Sequence, residues 1–197
     1  MKQALREELT ARRRAMTPEL VDQRGLKIQA RFLATPYYQR ATTLALYAPL
    51  RGEVPTRDIL IAALADGKTV CYPLSHVHGR VLSFRAVRSE LELEPGRLGV
   101  REPTSGTELA LDRIDIFVVP GLGFTRDGRR LGRGGGYYDA TLEAGPPASR
   151  RVGLAFSDQI VAELPTAPED MAMDLVVTES ETLRGLARSW ESVPLRA

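Results

Sequence analysis

A chain of 197 residues, 43% of them hydrophobic, can bury one sizeable core but is short for two, so a single domain is expected. Its 27 basic side chains stand against 25 acidic ones, and a net charge of +2 leaves a mixed surface with no electrostatic demand for nucleic acid. The opening Met1-Lys2-Gln3-Ala4-Leu5-Arg6 lacks the apolar stretch of a signal peptide, and charges and prolines interrupt every apolar run before it reaches bilayer length, so a cytoplasmic protein without a membrane partner is expected.

Leu5 and Leu9, four apart among charges, predict a first amphipathic helix over residues 2–14. Thr17-Pro18 opens a second, in which Val21, Ile28, Phe32 and Leu33 recur at loose helical spacing. Short apolar runs then predict buried strands at residues 43–47, 69–72, 81–84, 116–119, 152–156 and 175–178. Between the first two, residues 56–65 carry Ile59, Leu60, Ala63 and Leu64 on one side and stop at Asp66-Gly67, which makes a β-α-β unit. Residues 75–80 read as a hairpin connection, so part of the sheet is antiparallel; residues 89–107, rich in Pro, Gly and charge, read as surface wrapping. The expected architecture is α/β, a three-layer α/β/α sandwich around a mainly parallel, mixed sheet with ligand loops beyond the strands' carboxyl ends.

The lone Cys71 sits in an apolar segment and reads as a buried, inert thiol. His76 and His78 lie near it, but the spacing offers no fourth ligand, and a hairpin tip is the simpler reading.

One segment carries chemistry. The strand at 116–119 runs into Pro120-Gly121-Leu122-Gly123-Phe124 and then Arg129-Arg130-Leu131-Gly132-Arg133-Gly134-Gly135-Gly136-Tyr137-Tyr138-Asp139. Glycines let successive backbone N–H groups converge on an anion, and a helix starting near Tyr137 adds its positive end. Arg130 and Arg133 supply planar donors for phosphate oxygens, and Asp139 can reach a magnesium ion bridging them. The loop is neither a Walker loop nor the dinucleotide glycine pattern. Taken alone it also suits another ATP-dependent reaction or a sugar phosphate. An RNA-binding module using Arg12-Arg13-Arg14 and the Arg/Gly loop is disfavoured by the near-neutral charge and the 6% aromatic content.

The string Pro120-Gly121-Leu122, Phe124, Gly128, Arg130-Leu131-Gly132, Gly134, Gly136-Tyr137-Tyr138-Asp139 resembles the signature of the 5-formyltetrahydrofolate cyclo-ligase family. Lys2, Leu5 and Arg6 are similar to that family's N-terminal nucleotide motif, and Tyr47 with Arg51-Gly52-Glu53 to its folate-side loop. Gln159, Leu164-Pro165, Asp170 and Asp174 through Thr178-Glu179 match its closing segment. Two positions depart: Thr125 stands where the family often has aspartate, and Glu169 where it often has histidine.

The resemblance implies ATP- and Mg2+-dependent closure of 5-formyltetrahydrofolate to 5,10-methenyltetrahydrofolate, with ADP and phosphate released. It implies ATP contacts from Lys2, Gln3, Ala4, Leu5 and Arg6 and from Arg130, Leu131, Gly132, Arg133, Gly134, Gly135, Gly136, Tyr137 and Tyr138. Arg133 and Tyr138 would be the catalytic pair, Ala48, Glu53 and Tyr137 the folate contacts, and Asp139 and Asp174 the Mg2+ ligands. A monomer is the working expectation.

Overall fold

The structure, a computed structural model, describes residues 2–165, 167 and 170–185. Helices α1 (Lys2–Ala15) and α2 (Pro18–Leu33) open the chain, as the apolar spacing requires. Thr17 caps α2 by accepting the Leu20 N–H, and Pro18 takes the first helical position, where a missing N–H is no loss. The same device, Thr35 before Pro36, starts the short α3 (Pro36–Arg40), which the sequence pattern did not predict.

There follow β1 (Thr43–Ala45), α4 (Arg57–Ala65), β2 (Thr69–Leu74), β3 (Ser83–Ala86), β4 (Leu93–Pro95), β5 (Arg101–Pro103), β6 (Glu108–Leu109), β7 (Ile116–Val119), β8 (Gly123–Thr125), β9 (Arg130–Leu131), α5 (Tyr137–Ala144), β10 (Arg150–Leu154), β11 (Ile160–Val161), β12 (Leu175–Val177) and β13 (Thr182–Arg184). Eight of these strands form the main sheet in the order β13-β12-β10-β7-β1-β2-β3-β6. The central strands β12, β10, β7, β1 and β2 are parallel, and antiparallel strands finish both margins. The chain winds outward from β1 through β2, β3 and β6, then returns to β7 and winds outward the other way. That reversal leaves a crevice beyond the carboxyl ends of β1 and β7.

Period-two alternation sorts the strand side chains between the two faces. Leu44, Ile116, Val118, Leu175 and Val177 join one core with residues of α2, α3 and α4. Ala45, Phe117, Val119 and Val176 join the other with Leu142 of α5 and Phe124 of β8. A third cluster sets Leu9 of α1 against Leu122, Leu131 and Leu164, so α1 rides on the small sheet β11-β8-β9.

Phe124 is fully buried between two glycines: a Cβ at Gly121 would stand 2.5 Å from its Cζ, and one at Gly153 2.5 Å from its Cε1. Gly153→Ala is therefore expected to destabilise the fold by about 1–3 kcal/mol through overpacking, a loss that equilibrium denaturation measures directly. A change below about 0.5 kcal/mol would mean that the ring has room to move aside.

Two expectations need correction. The strand predicted from residue 81 begins at Ser83, leaving Val81 exposed. Residues 89–107 do more than wrap the surface, because β4 and β5 pair into a flap and β5 packs beside β2. No helix among the described residues is long and apolar enough to cross a membrane.

Candidate active site

A cavity of about 720 Å³ opens at the crevice, with Ala48 following β1 and Pro120 and Gly121 following β7. One wall is the glycine loop between β9 and α5. Gly134 (φ +100°) and Gly136 (φ +70°) take left-handed conformations there, and Gly136 is the residue that caps α5. The Arg6 Nε donates to the Gly132 carbonyl at 3.0 Å, which fixes α1 to the loop.

Arg130 lies under this loop with its side chain 4% exposed. Its Nη2 donates to Asp139 Oδ1 at 2.7 Å and its Nη1 to the Pro120 carbonyl at 3.2 Å, while the guanidinium lies 6.0 Å from the Tyr138 ring. Asp139 Oδ1 also accepts the Met171 N–H at 3.2 Å, so both of its protein hydrogen bonds fall on one oxygen. Lys2 Nζ donates to Asp170 Oδ2 at 2.7 Å on the same wall. Burial opposes ionisation of Asp170, but the Lys2 ammonium and the Ala167 N–H hold its carboxyl below the ordinary range. Arg133 is exposed and makes no hydrogen bond or ion pair with the described residues.

The loop after β1 supplies Glu53, buried, whose Oε1 accepts from Arg13 Nη1 at 2.8 Å and whose Oε2 accepts from the Leu50 N–H at 2.9 Å. Gly52 (φ +77°) lets this loop press on α1, since a Cβ there would stand 2.8 Å from the Arg13 carbonyl oxygen. Tyr47 donates its hydroxyl to the Val54 carbonyl at 2.8 Å. Burial raises the Tyr138 hydroxyl, the Glu53 charge raises it further and Arg130 only partly offsets this, so Tyr138 stays a protonated donor at neutral pH.

The structure brings most of the expected residues to this cavity: Lys2, Arg6, Ala48, Glu53 and the whole run from Arg130 to Asp139. It does not bring Gln3, Ala4 or Leu5. Gln3 bonds Glu7 on the exposed side of α1, Ala4 is exposed, and Leu5 packs against the Leu9 cluster, since successive residues of a helix point in different directions.

Asp174 is likewise away from the cavity. It is buried at the amino end of β12, where Oδ2 accepts the Arg151 N–H at 2.8 Å and lies 3.6 Å from Arg151 Nε. Its Oδ1 is enclosed without a hydrogen-bond partner among the described residues, and the residue does not line this cavity. Asp170, four residues earlier, is the acid of this segment that lines the cavity.

Thr125 serves its own turn, donating to Asp127 and accepting the Arg129 N–H at 3.0 Å, and Glu169 lies outside the described residues. Among the described residues no group of three His, Cys, Asp or Glu forms a metal cage. Cys71 is buried, and burial pushes its thiol up, away from reactivity.

Sequence reasoning missed the part of the wall that the flap and the β2–β3 connection contribute: Ser75, Arg80, Leu98, Val100 and Glu102. Leu98 holds a φ of 58°, which a residue with a side chain rarely adopts. Gln159, which sequence marks only through the family resemblance, donates its Nε2 to the Gly121 and Leu122 carbonyls, both at 3.0 Å, and so shapes the turn beneath the site.

The family model described as the 5-formyltetrahydrofolate cyclo-ligase family matches residues 1–179. The Escherichia coli (strain K12) 5-formyltetrahydrofolate cyclo-ligase is 34% identical over 175 residues, covering 86% of this chain and 96% of that protein. The Mus musculus 5-formyltetrahydrofolate cyclo-ligase is 30% identical over 193 residues, covering 90% and 93%. The NMR structure of Aquifex aeolicus 5,10-methenyltetrahydrofolate synthetase superposes with a TM-score of 0.81 at 30% identity, over 98% of this chain and 96% of that one.

Proposed function

The chain belongs to the 5-formyltetrahydrofolate cyclo-ligase family of ligases, and on that footing we propose that it couples Mg·ATP turnover to ring closure of 5-formyltetrahydrofolate. The products are 5,10-methenyltetrahydrofolate, ADP and phosphate. The observation that carries this reading is a glycine loop ringed by Arg6, Arg130 and Arg133 in the same cavity as the Glu53 loop. One end suits a triphosphate and the other a donor-rich heterocycle.

An N-formyl group is an amide, and its oxygen leaves poorly. Transfer of the terminal phosphoryl of ATP to that oxygen makes it a leaving group; the 10-nitrogen then attacks the formyl carbon and loses its proton, and phosphate departs. Such chemistry asks the protein mainly for alignment and charge dispersal. Arg130 and the loop N–H groups hold the phosphates, Arg133 supplies a guanidinium to the transferring group, and Tyr138 donates a hydroxyl beside it.

The residues present fit Mg2+, which is usually held by one or two carboxylates and substrate phosphates. Asp139, with one oxygen clear of protein hydrogen bonds, and Asp170 would hold it. Bound there it would neutralise phosphate charge.

Purified protein with Mg2+, ATP and 5-formyltetrahydrofolate is expected to give methenyl product with one ADP per turnover, and none when ATP is omitted. Absence of methenyl product in the complete mixture would overturn the reading.

A further inference from the structure

The cavity contains a second buried carboxylate whose circumstances differ from those of Glu53. Glu102, on β5 of the flap, is 9% exposed and lines the cavity. Its Oε1 accepts the Ser75 hydroxyl at 2.5 Å and the Ser75 N–H at 3.3 Å. No Lys, Arg or His pairs with it among the described residues, and its neighbour Arg101 is turned away onto the Leu93 and Glu90 carbonyls. Gly96 gives the side chain room, since a Cβ there would stand 2.5 Å from Glu102 Cγ.

A carboxylate withdrawn this far from water without a cation is costly unless its oxygens are hydrogen-bonded. Ser75 satisfies Oε1 only. Glu53, by contrast, has Arg13 on one oxygen and the Leu50 N–H on the other. Of the two folate-side acids, Glu102 is therefore the one with a whole oxygen left for a ligand. A carboxylate only accepts hydrogen bonds, so the ligand group it suits is a pair or row of N–H donors. The exocyclic amine and ring N–H groups of a reduced pterin are donors of that kind.

We infer that Glu102 is a substrate-binding residue that accepts N–H donors of the folate's pterin ring, an assignment that rests on the folate reading of this cavity. Ser75 holds the carboxylate in place, and the flap carries it over the ligand. Glu102 then acts beside Glu53, whose two oxygens already hold Arg13 and the Leu50 N–H.

Glu102→Gln tests this, because its amide oxygen can still accept from Ser75 while the charge is lost and the second oxygen becomes a donor. Calorimetric titration of the wild type and the variant with 5-formyltetrahydrofolate and, separately, with Mg·ATP reads the effect, and thermal unfolding accompanies both. The expected result is a folate Kd raised about 10- to 100-fold, an ATP Kd changed less than about twofold and an unchanged melting temperature. A variant that binds folate as tightly as the wild type overturns the inference alone. So does a parallel loss for both ligands, or a fall in melting temperature without a folate-specific loss, since each marks a merely structural acid. Failure of the wild type to bind folate would bring down the folate reading as well.

Discussion

Arg130→Ala is expected to lower kcat/KM by about 10²- to 10³-fold, the scale on which preorganised donors to a developing anion act. The guanidinium is almost wholly enclosed, and three groups depend on it: the Asp139 carboxylate, the Pro120 carbonyl and the glycine loop folded over it. A Cβ at Gly132 would stand 2.8 Å from Arg130 Nη1, so the loop and the cation fit each other closely. Alanine leaves Asp139 without its counter-charge where phosphate is to be bound, replacing attraction by repulsion. Lysine is a poor substitute, because a single ammonium cannot reproduce a planar fork with donors on two sides. Steady-state kinetics varied in both substrates checks this. A loss smaller than about tenfold would place Arg130 among scaffold residues.

Arg13→Ala is expected to destabilise the protein by about 3–5 kcal/mol, the cost of leaving a buried charge unpaired. Arg13 and Glu53 are each 7% exposed at the side chain, and the pair closes at 2.8 Å. Deleting the cation strands the Glu53 carboxylate, and with it the turn through Gly52 that rests on α1. Glu53→Gln in the Arg13→Ala background removes the stranded charge and is expected to restore part of the loss. Denaturant titration of the two single variants and the double variant measures the coupling, and additive losses would show that the pair is not the anchor.

Much of the fold is legible in sequence because most main-sheet strands announce themselves. Apolar runs in β1, β2, β7 and β12, and from Val152 in β10, are buried on both faces, the pattern expected of parallel core strands. The strands β8, β9 and β11 are two or three residues long, and β8 and β11 meet across a long chain separation, so no local period reveals them. Helix α3 is a five-residue turn whose signal, Thr35-Pro36, is identical in kind to the Thr17-Pro18 that starts α2, but no apolar repeat follows it.

The site divides the same way. The glycine loop was readable because its residues are contiguous and each has a chemical reason to be there. Glu102 was not, because its importance comes from β5 lying beside β2, and in sequence it is one acid in a charged, turn-rich stretch. Asp174 shows the converse: an acid directly before a parallel strand stands at the amino end of the sheet, whereas ligands gather at the carboxyl ends.

The face of α1 that serves the cavity finds its partners far along the chain. Arg13 meets Glu53 across 40 residues, Arg6 meets Gly132 across 126, and Lys2 meets Asp170 across 168. Loop-closure entropy grows only by about 0.6 kcal/mol for each doubling of length, so these spans weigh little on the finished protein. They weigh instead on the order of assembly, since long-range contacts form after the local ones that bring their ends together. Docking of α1 therefore waits on partners up to 168 residues away, and the wall of the cavity that carries Lys2 is incomplete without the segment around Asp170.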